Sequence, residues 1–422
     1  MNESRRVAVT GMGVVTPLGC DADSFWDALC AGRSGVGAIT AFDASRLNTQ
    51  IAAEVHDFTP SPEIAPRTLK QMDRFAQFGL TAAVQAWRQS GLGSGDFDSD
   101  RVGVLIGSSH GGEVSTWRQM ESLGGPGDRD VSPWTIPQLL ANMASAQTAI
   151  YFGLHGPSFT LGSACATGAQ AIGEAAAIIR RGDADVMLCG GAEACITPLT
   201  VAGDDASGAL SRRNDAPEEA SRPFDLNRDG FVLGEGAGVL LLEELEHAQA
   251  RHAPILAQLV GYGATTDAVH VTRPDPTGRH AARAMSLAIA QAGLEPAEVD
   301  AVFAHATSTQ AGDRAEAVAF GLALGEHATT VLVTAIKSSL GHLLGAAGAV
   351  QAVASIMALR AGLIPLTRNL EELDPDCSLN VVTKAARQGA LTNVLTNAFG
   401  FGGHNVSLLL RAPERSGPGT GR

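Results

Sequence analysis

Short apolar runs alternate along the chain with longer stretches in which apolar residues recur every three or four positions. In RRVAVTGMGVVTPLG, the run Val7–Thr10 predicts a buried strand ending in a Gly-Met-Gly turn. SFWDALCAGRSG predicts a short helix stopped by glycine, and the spacing over Asp73–Gly91 (DRFAQFGLTAAVQAWRQSG) predicts an amphipathic helix. RVGVLIGSSHGG and DADVMLCGGAE read as buried strands running into glycine turns. The second half repeats this grammar. ILAQLVGYGATTD is a strand and RHAARAMSLAIAQAGL a helix; VDAVFAHATSTQAGD is a strand with a polar loop, followed by a helix over Asp313–Leu324. VLVTAIKSSLGHLLGAAGAVQAVASIMALRAG reads as a strand, a turn and a long helix of small residues, and NVLTNAFGFGGHNVSLLL as two strands about a glycine-rich turn. Alternating strands and helices predict an α/β fold with largely parallel sheets covered on both faces. Two similar halves suggest a duplicated unit. The helix after LGSACATGAQAIG, roughly Ala166–Arg181, is small or apolar nearly all round; a surface helix would show a polar face, so this one is expected between sheets.

Composition narrows the class. The chain has 422 residues, enough for two large units fused around a shared core, with 45% hydrophobic and 18% charged residues. The formal charge of −14 argues against nucleic acid, whose phosphates require a cationic surface, but leaves room for an acidic protein docking on a local basic patch. The N-terminus lacks a signal-peptide pattern, and no apolar run is read as long enough for a membrane helix, so a soluble, cytoplasmic protein with no membrane contact is expected. Six cysteines without CxxC spacing imply neither a zinc site nor a disulfide framework.

Among those cysteines, Cys165 stands apart. It lies among Gly, Ala, Ser and Thr where a helix is expected to start, and unpaired N–H groups at such a start favour a thiolate. A free cysteine in a small-residue segment is more often core packing, and Cys20, Cys30, Cys189, Cys195 and Cys377 keep that reading. The surroundings change it for Cys165. HATSTQAGDRAE places His305 at a strand end, followed by Thr307, Thr309, Asp313 and Glu316. IKSSLGHLLGAAGA sets Lys337 five residues before His342, and FGFGGHN puts Phe399 and Phe401 in a glycine-rich turn.

With these motifs in this order, and with SRPFDLNRDGFVLGEGAG (Ser221–Gly238) between them, the chain resembles the β-ketoacyl-acyl-carrier-protein synthases of the thiolase superfamily over nearly its whole length. The resemblance implies a duplicated five-layer α-β-α-β-α fold, an N-terminal half over 1–253 carrying the nucleophile, a C-terminal half over 254–412 carrying the histidines, and a loose tail over 413–422. It implies that Cys165 takes an acyl group from a carrier protein and that malonyl-carrier protein loses carbon dioxide to give an enolate that attacks it. The N–H groups of Cys165 and Phe401 would form the oxyanion hole, Phe401 would also gate the acyl pocket, and His305 and His342 would stabilise the enolate. Lys337 and Glu316 would hold the histidine geometry, and Thr307 and Thr309 the phosphopantetheine arm. No cofactor or metal is implied. Two positions depart from the family: Ala306 stands where glycine is usual and His404 where threonine is usual.

Segment matching assigns His110, Thr135 and Asp204 to acyl-pocket positions that carry bulky apolar residues in long-chain enzymes of the family. Polar groups there favour an acyl chain with polar or unsaturated groups, and so lean toward polyketide elongation over the alternative, fatty-acid elongation. Arg67, Lys70, Arg74, Arg212 and Arg213 are candidates for docking the carrier protein. A homodimer or a heterodimer with a chain-length partner is expected. A degradative thiolase would need a second catalytic cysteine in the C-terminal glycine motif. A non-catalytic chain-length subunit would lack the nucleophile, and an initiating enzyme would show a His–Asn pair.

Overall fold

The computed structural model describes residues 5–93, 97–123 and 131–413, so the expected tail lies, from residue 414 on, outside the described residues. Eleven strands form one mixed sheet: β1 (Val7–Val15), β2 (Val102–Gly107), β3 (Ser158–Phe159), β4 (Val186–Glu193), β5 (Gly236–Glu244), β6 (Ala257–Thr266), β7 (Ala301–Phe303), β8 (Leu332–Thr334), β9 (Asn380–Val381), β10 (Asn393–Gly400) and β11 (His404–Arg411). Their order is β9-β8-β7-β10-β11-β6-β1-β5-β4-β2-β3. The seam between halves is the β1–β6 pairing, which holds only Ala8 against Gln258 and Val9 against Ala257. On each side of it the five main strands run in the same order, third-second-fourth-fifth-first, and β9 is added at the outer edge of the second half. The duplication read from sequence is thus a duplication of topology.

The helices include α1 (Arg74–Ser90), α2 (Thr135–Leu139), α3 (Thr167–Arg181), α4 (Pro198–Ala206), α5 (Arg279–Gln291), α6 (Gln310–Leu324) and α7 (Ala347–Ala361). α1 covers the outer face of the first half; α5 covers that of the second, with α6 packed beside it. α3 and α7 lie between the halves and touch strands of both, giving five layers. The same local device seats the outer helix on each side. A Cβ on Gly11 or Gly13 of β1 would stand 2.0 Å from the Ala86 or Ala82 carbonyl of α1. A Cβ on Gly261 or Gly263 of β6 would stand as close to the Ala288 or Ala284 carbonyl of α5. Gly-x-Gly in the first strand of each half is therefore a contact requirement, not a turn.

Two expectations need correction. The sheet is not largely parallel: in each half the outer strands run parallel, but the central ones, β4–β5–β1 and β10–β11–β6, are antiparallel. Apolar runs buried on both faces look alike in either direction, so composition could not separate them. Also, Leu344–Ala361 does reach 18 residues with a mean hydropathy of 1.4, the length and polarity of a membrane span. It is almost wholly buried and forms the central helix, where a polar face would have nowhere to go. α1 matches its expectation closely: the Asp73 side chain accepts from the Phe75 N–H at the N-cap, and Gly91, at φ 65°, closes the helix.

Candidate active site

Cys165 sits on a turn bent back on itself before α3. Ala164 has φ 50°, a left-handed conformation costly for a residue with a Cβ, and the Ser109 hydroxyl fixes it by donating to the Ala164 carbonyl at 2.8 Å. The Ser163 N–H donates to Thr167 Oγ1 at 2.9 Å. Helix α3 starts two residues beyond the cysteine, and Cys165 is buried. Burial pushes the thiol up to about 12, against the opposing charge of Lys337 and a hydrogen bond from the Phe401 N–H to the sulfur. The resting group is therefore a thiol, not the thiolate expected from a helix start. Gly400 passes against this turn: a Cβ there would lie 2.5 Å from the Ser163 carbonyl oxygen and 3.1 Å from the Cys165 nitrogen.

The histidines come from the second half. His305 leaves β7 and His342 follows the turn that Lys337 begins; their rings meet edge-on with centroids 5.5 Å apart. Phe399 stands 5.6 Å from the His305 ring and Phe231 5.3 Å from that of His342. Burial, reinforced by the charge of Lys337, holds both imidazoles well below their ordinary pKa, so both are neutral. His305 Nδ1 and both ring nitrogens of His342 are buried without a partner among the described residues. Cys165, His305, His342, Thr307, Thr309, Glu316, Phe399 and Phe401 line one cavity of about 190 Å³.

Lys337 and Glu316 do hold His305, but by its backbone. Lys337 Nζ donates to the His305 carbonyl at 2.6 Å, while the two Glu316 oxygens accept from the His305 N–H (2.8 Å) and the Ala306 N–H (2.7 Å). Burial lowers Lys337 to about 8 and raises Glu316. This grip explains how Ala306, with φ 25°, occupies a position where glycine is usual. Ser308, at φ 69°, is pinned in turn by Asp313 and by the Arg222 N–H. Thr307 and Thr309 share a 2.9 Å hydroxyl contact on the cavity wall.

Sequence reasoning missed several supports. Asn397 donates to Glu316 at 3.2 Å, and the fully buried Arg228 donates to the carbonyls of Thr309 and Gln310 and pairs with Asp313 and Asp374. A signal for Arg228 was present, since an arginine amid the apolar and glycine residues of DLNRDGFVLGEG has to be satisfied internally.

On the acyl side, His110 and Asp204 line the cavity, joined by Phe231, Leu344 and Ala209. Thr135 does not. Its hydroxyl donates to the Ser132 carbonyl at 2.6 Å at the start of α2, between the exposed Trp134 and Ile136, because the side chain bonds back into its own turn. Of the docking candidates, Arg67 and Lys70 are exposed. Arg74 is committed inside the fold, paired with Glu235 at 2.7 Å, donating to the Val55 carbonyl and stacked 4.6 Å over Phe78. Arg212 is bidentate on Asp205 though half exposed, and Arg213 donates to the Asn227 carbonyl. Arg273, which no sequence pattern flagged, lines both the reaction cavity and the outer depression beyond Phe401.

Residues 4–248 match the family model described as "Beta-ketoacyl synthase, N-terminal domain", and residues 256–371 the corresponding C-terminal domain. The chain belongs to the β-ketoacyl synthase family. It is thus a condensing acyltransferase, with the thiolase-like fold implied by its motifs. It is 47% identical to "3-oxoacyl-[acyl-carrier-protein] synthase 2" of Coxiella burnetii, with 97% of this chain and 99% of that protein covered. Among solved structures, the ishigamide ketosynthase/chain length factor superposes with a TM-score of 0.91 at 35% identity, covering 97% of this chain and all of that one. A type II polyketide synthase acyl-carrier protein in complex with its ketosynthase, bound to the hexaketide, gives 0.88 at 32% identity, covering 98% of this chain and all of that one.

Proposed function

We propose that this β-ketoacyl synthase elongates acyl chains carried on an acyl carrier protein by decarboxylative condensation with malonyl-carrier protein. The observation that carries this is the convergence of Cys165, His305 and His342 on one cavity, with the Phe401 N–H aimed at the sulfur. The Cys165 sulfur attacks the thioester carbonyl, its proton passes to a neutral imidazole, and the carrier thiol leaves with that proton. The oxyanion forms where the N–H groups of Cys165 and Phe401 can receive it; a donor of this kind is worth about 3–4 kcal/mol. Malonyl-carrier protein then binds, with Thr307 and Thr309 beside its arm. Loss of carbon dioxide leaves an enolate whose oxygen accepts from His305 and His342. Its carbon forms the new bond to the acyl carbonyl as the cysteine sulfur departs. Neutral imidazoles suit this role, since each can donate an N–H without needing a counter-ion in a buried site.

The reading favours fatty-acid elongation. The polyketide lean rested on three polar pocket residues, of which Thr135 lies off the cavity, and the full-length relative is named a 3-oxoacyl synthase. The ketosynthase–carrier complex among the structural neighbours supports a carrier-protein partner. Arg67, Lys70, Arg212 and Arg273 are the exposed cations offered to it. For assembly, β3 is an edge strand with both residues exposed, and the apolar Trp134, Ile136, Ile150 and Phe159 are exposed too. Pairing of two copies along this edge would bury them and bring Thr135 to the interface.

Mass spectrometry of the protein after incubation with acyl-carrier protein and malonyl-carrier protein tests the central reading. An acyl adduct on Cys165, and loss of both adduct and product in Cys165→Ala, are expected. Condensation persisting in that variant would overturn it.

A further inference from the structure

The acyl side of the cavity holds two ionisable side chains that condensation does not use. His110 follows Ser109, whose hydroxyl braces the turn beside the nucleophile, so it stands at the near end of the acyl pocket. Its Nδ1 lies 4.0 Å from Glu193 Oε1, an ion-pair distance. Glu193 is fully buried and already accepts from the Ser108 hydroxyl and the N–H groups of Ser109, His110 and Gly345, so it is a fixed anchor. The far ring nitrogen, Nε2, has no protein partner among the described residues, and 35% of the side chain is exposed.

Asp204, on α4, lines the same cavity. It interacts electrostatically with His110, yet its carboxyl group makes no hydrogen bond or ion pair among the described residues. The cavity wall thus offers a donor and an acceptor that are not bonded to each other among the described residues. Phe231, Leu344 and Ala209 supply apolar walls around them. An alkyl chain would strip water from both polar groups and pair with neither. A ketone could accept from His110 but give nothing to Asp204. A hydroxyl can do both.

We propose that this pocket selects acyl chains bearing a hydroxyl group, whose oxygen accepts from His110 and whose proton is donated to Asp204. The inference rests on the condensing function proposed above and names the substrate class of the same site. A site built to bond a hydroxyl discriminates strongly against the analogue lacking it, because its own polar groups are then left unpaired.

The test is kcat/KM for condensation with malonyl-carrier protein, using wild-type enzyme and carrier-bound primers of equal length. The primers are saturated, oxo-substituted or hydroxyl-substituted at successive positions, with acetyl as a primer that carries no substituent to select. At least one hydroxyacyl primer is expected to exceed its saturated and oxo counterparts by about tenfold or more. The preference should collapse in His110→Leu and in Asp204→Leu. Saturated primers equal to or better than every hydroxyacyl primer, or oxo primers better than hydroxyl, would overturn the proposal while condensation of acetyl kept the function intact. No condensation with any primer would overturn the proposed function and this inference with it. The wild-type panel decides the matter even where a variant folds poorly.

Discussion

The two sides of the reaction cavity are built on opposite principles. On the side contributed by the second half, the backbone is gripped around the strained Ala306 and Ser308: Glu316 and Lys337 hold residues 305 and 306, and Asp313 holds Ser308. The rings that grip presents are neutral, and three of their nitrogens lack a partner among the described residues. On the side contributed by the first half, His110 is charged and Asp204 faces the cavity unbonded. The first arrangement suits chemistry that is the same for every substrate. The second suits selection among substrates, because its polar groups are satisfied only by a particular occupant. Changes on the two sides should therefore fail differently.

Loss of the nucleophile Cys165 aside, the largest effects belong to the second half. Replacing His342 by Ala removes a donor to the enolate, and decarboxylation of malonyl-carrier protein should fall by about 10²–10³-fold, whatever acyl chain is used. Release of labelled carbon dioxide measures this; a loss that varied with the acyl chain would contradict the division of roles. Next comes Gly400→Val. The added carbon collides with the Ser163 carbonyl and crowds the Cys165 nitrogen, displacing the oxyanion hole, so acylation should slow by about 10²-fold while decarboxylation suffers less. A burst of acyl-enzyme formation followed by mass spectrometry separates the two steps.

Glu316→Gln should do less. Two N–H groups need two acceptors, and an amide supplies only one oxygen, leaving a buried donor unpaired at about 1–3 kcal/mol. The expected outcome is a lower Tm and a fall in kcat of about tenfold, with KM for the acyl primer little changed. Unaltered Tm would mean that the grip on residues 305 and 306 is not what holds the loop.

These contrasts also explain what could be read from the sequence. That Cys165, His305, His342 and Phe401 meet in one cavity was expected from the family resemblance their motifs carry, and each lies where an apolar strand or helix meets a run of glycine and small polar residues. The Asp73–Gly91 helix was legible down to both caps, since a capping Asp and a closing Gly act locally. Strand direction was not legible, because the same Val- and Leu-rich run is buried on both faces whichever way its neighbour points. Arg74 looked like a docking residue only because Glu235, its partner, lies 161 positions away. Thr135 does not line this chain's own cavity for a related reason: matching a segment fixes its place in the chain, while its hydroxyl is taken up by a carbonyl three residues back. Asn397 acts through a bond to Glu316, 81 positions away, which leaves no local pattern, whereas the setting of Arg228 shows that it must be satisfied internally but not by which carbonyls and carboxylates.

The smallest predicted effect is the most specific, because its sign should differ between the two sides. Burial alone would keep His110 neutral, but Glu193, with Glu113 and Asp204, outweighs it and raises the imidazole to about 9, against about 6.5 for an unfolded histidine. Its contribution to stability is therefore fully present below pH 6.5 and is lost as the pH rises through 9. His342 is shifted the other way. Its folded pKa lies well below 6.5, so the unfolded chain takes up a proton that the folded chain refuses, and stability drains as the pH falls below 6.5. Thermal melts of His110→Leu and His342→Leu against the wild type, from pH 5.5 to 10, read both. The Tm deficit of His110→Leu should be greatest at pH 6 and shrink toward pH 10, by a modest amount because about a third of that side chain is exposed. His342→Leu should gain on the wild type as the pH drops from 7 to 5.5. Curves that moved in parallel would mean that both histidines carry the same charge in the folded protein, and the contrast between a neutral catalytic wall and a charged acyl wall would be lost.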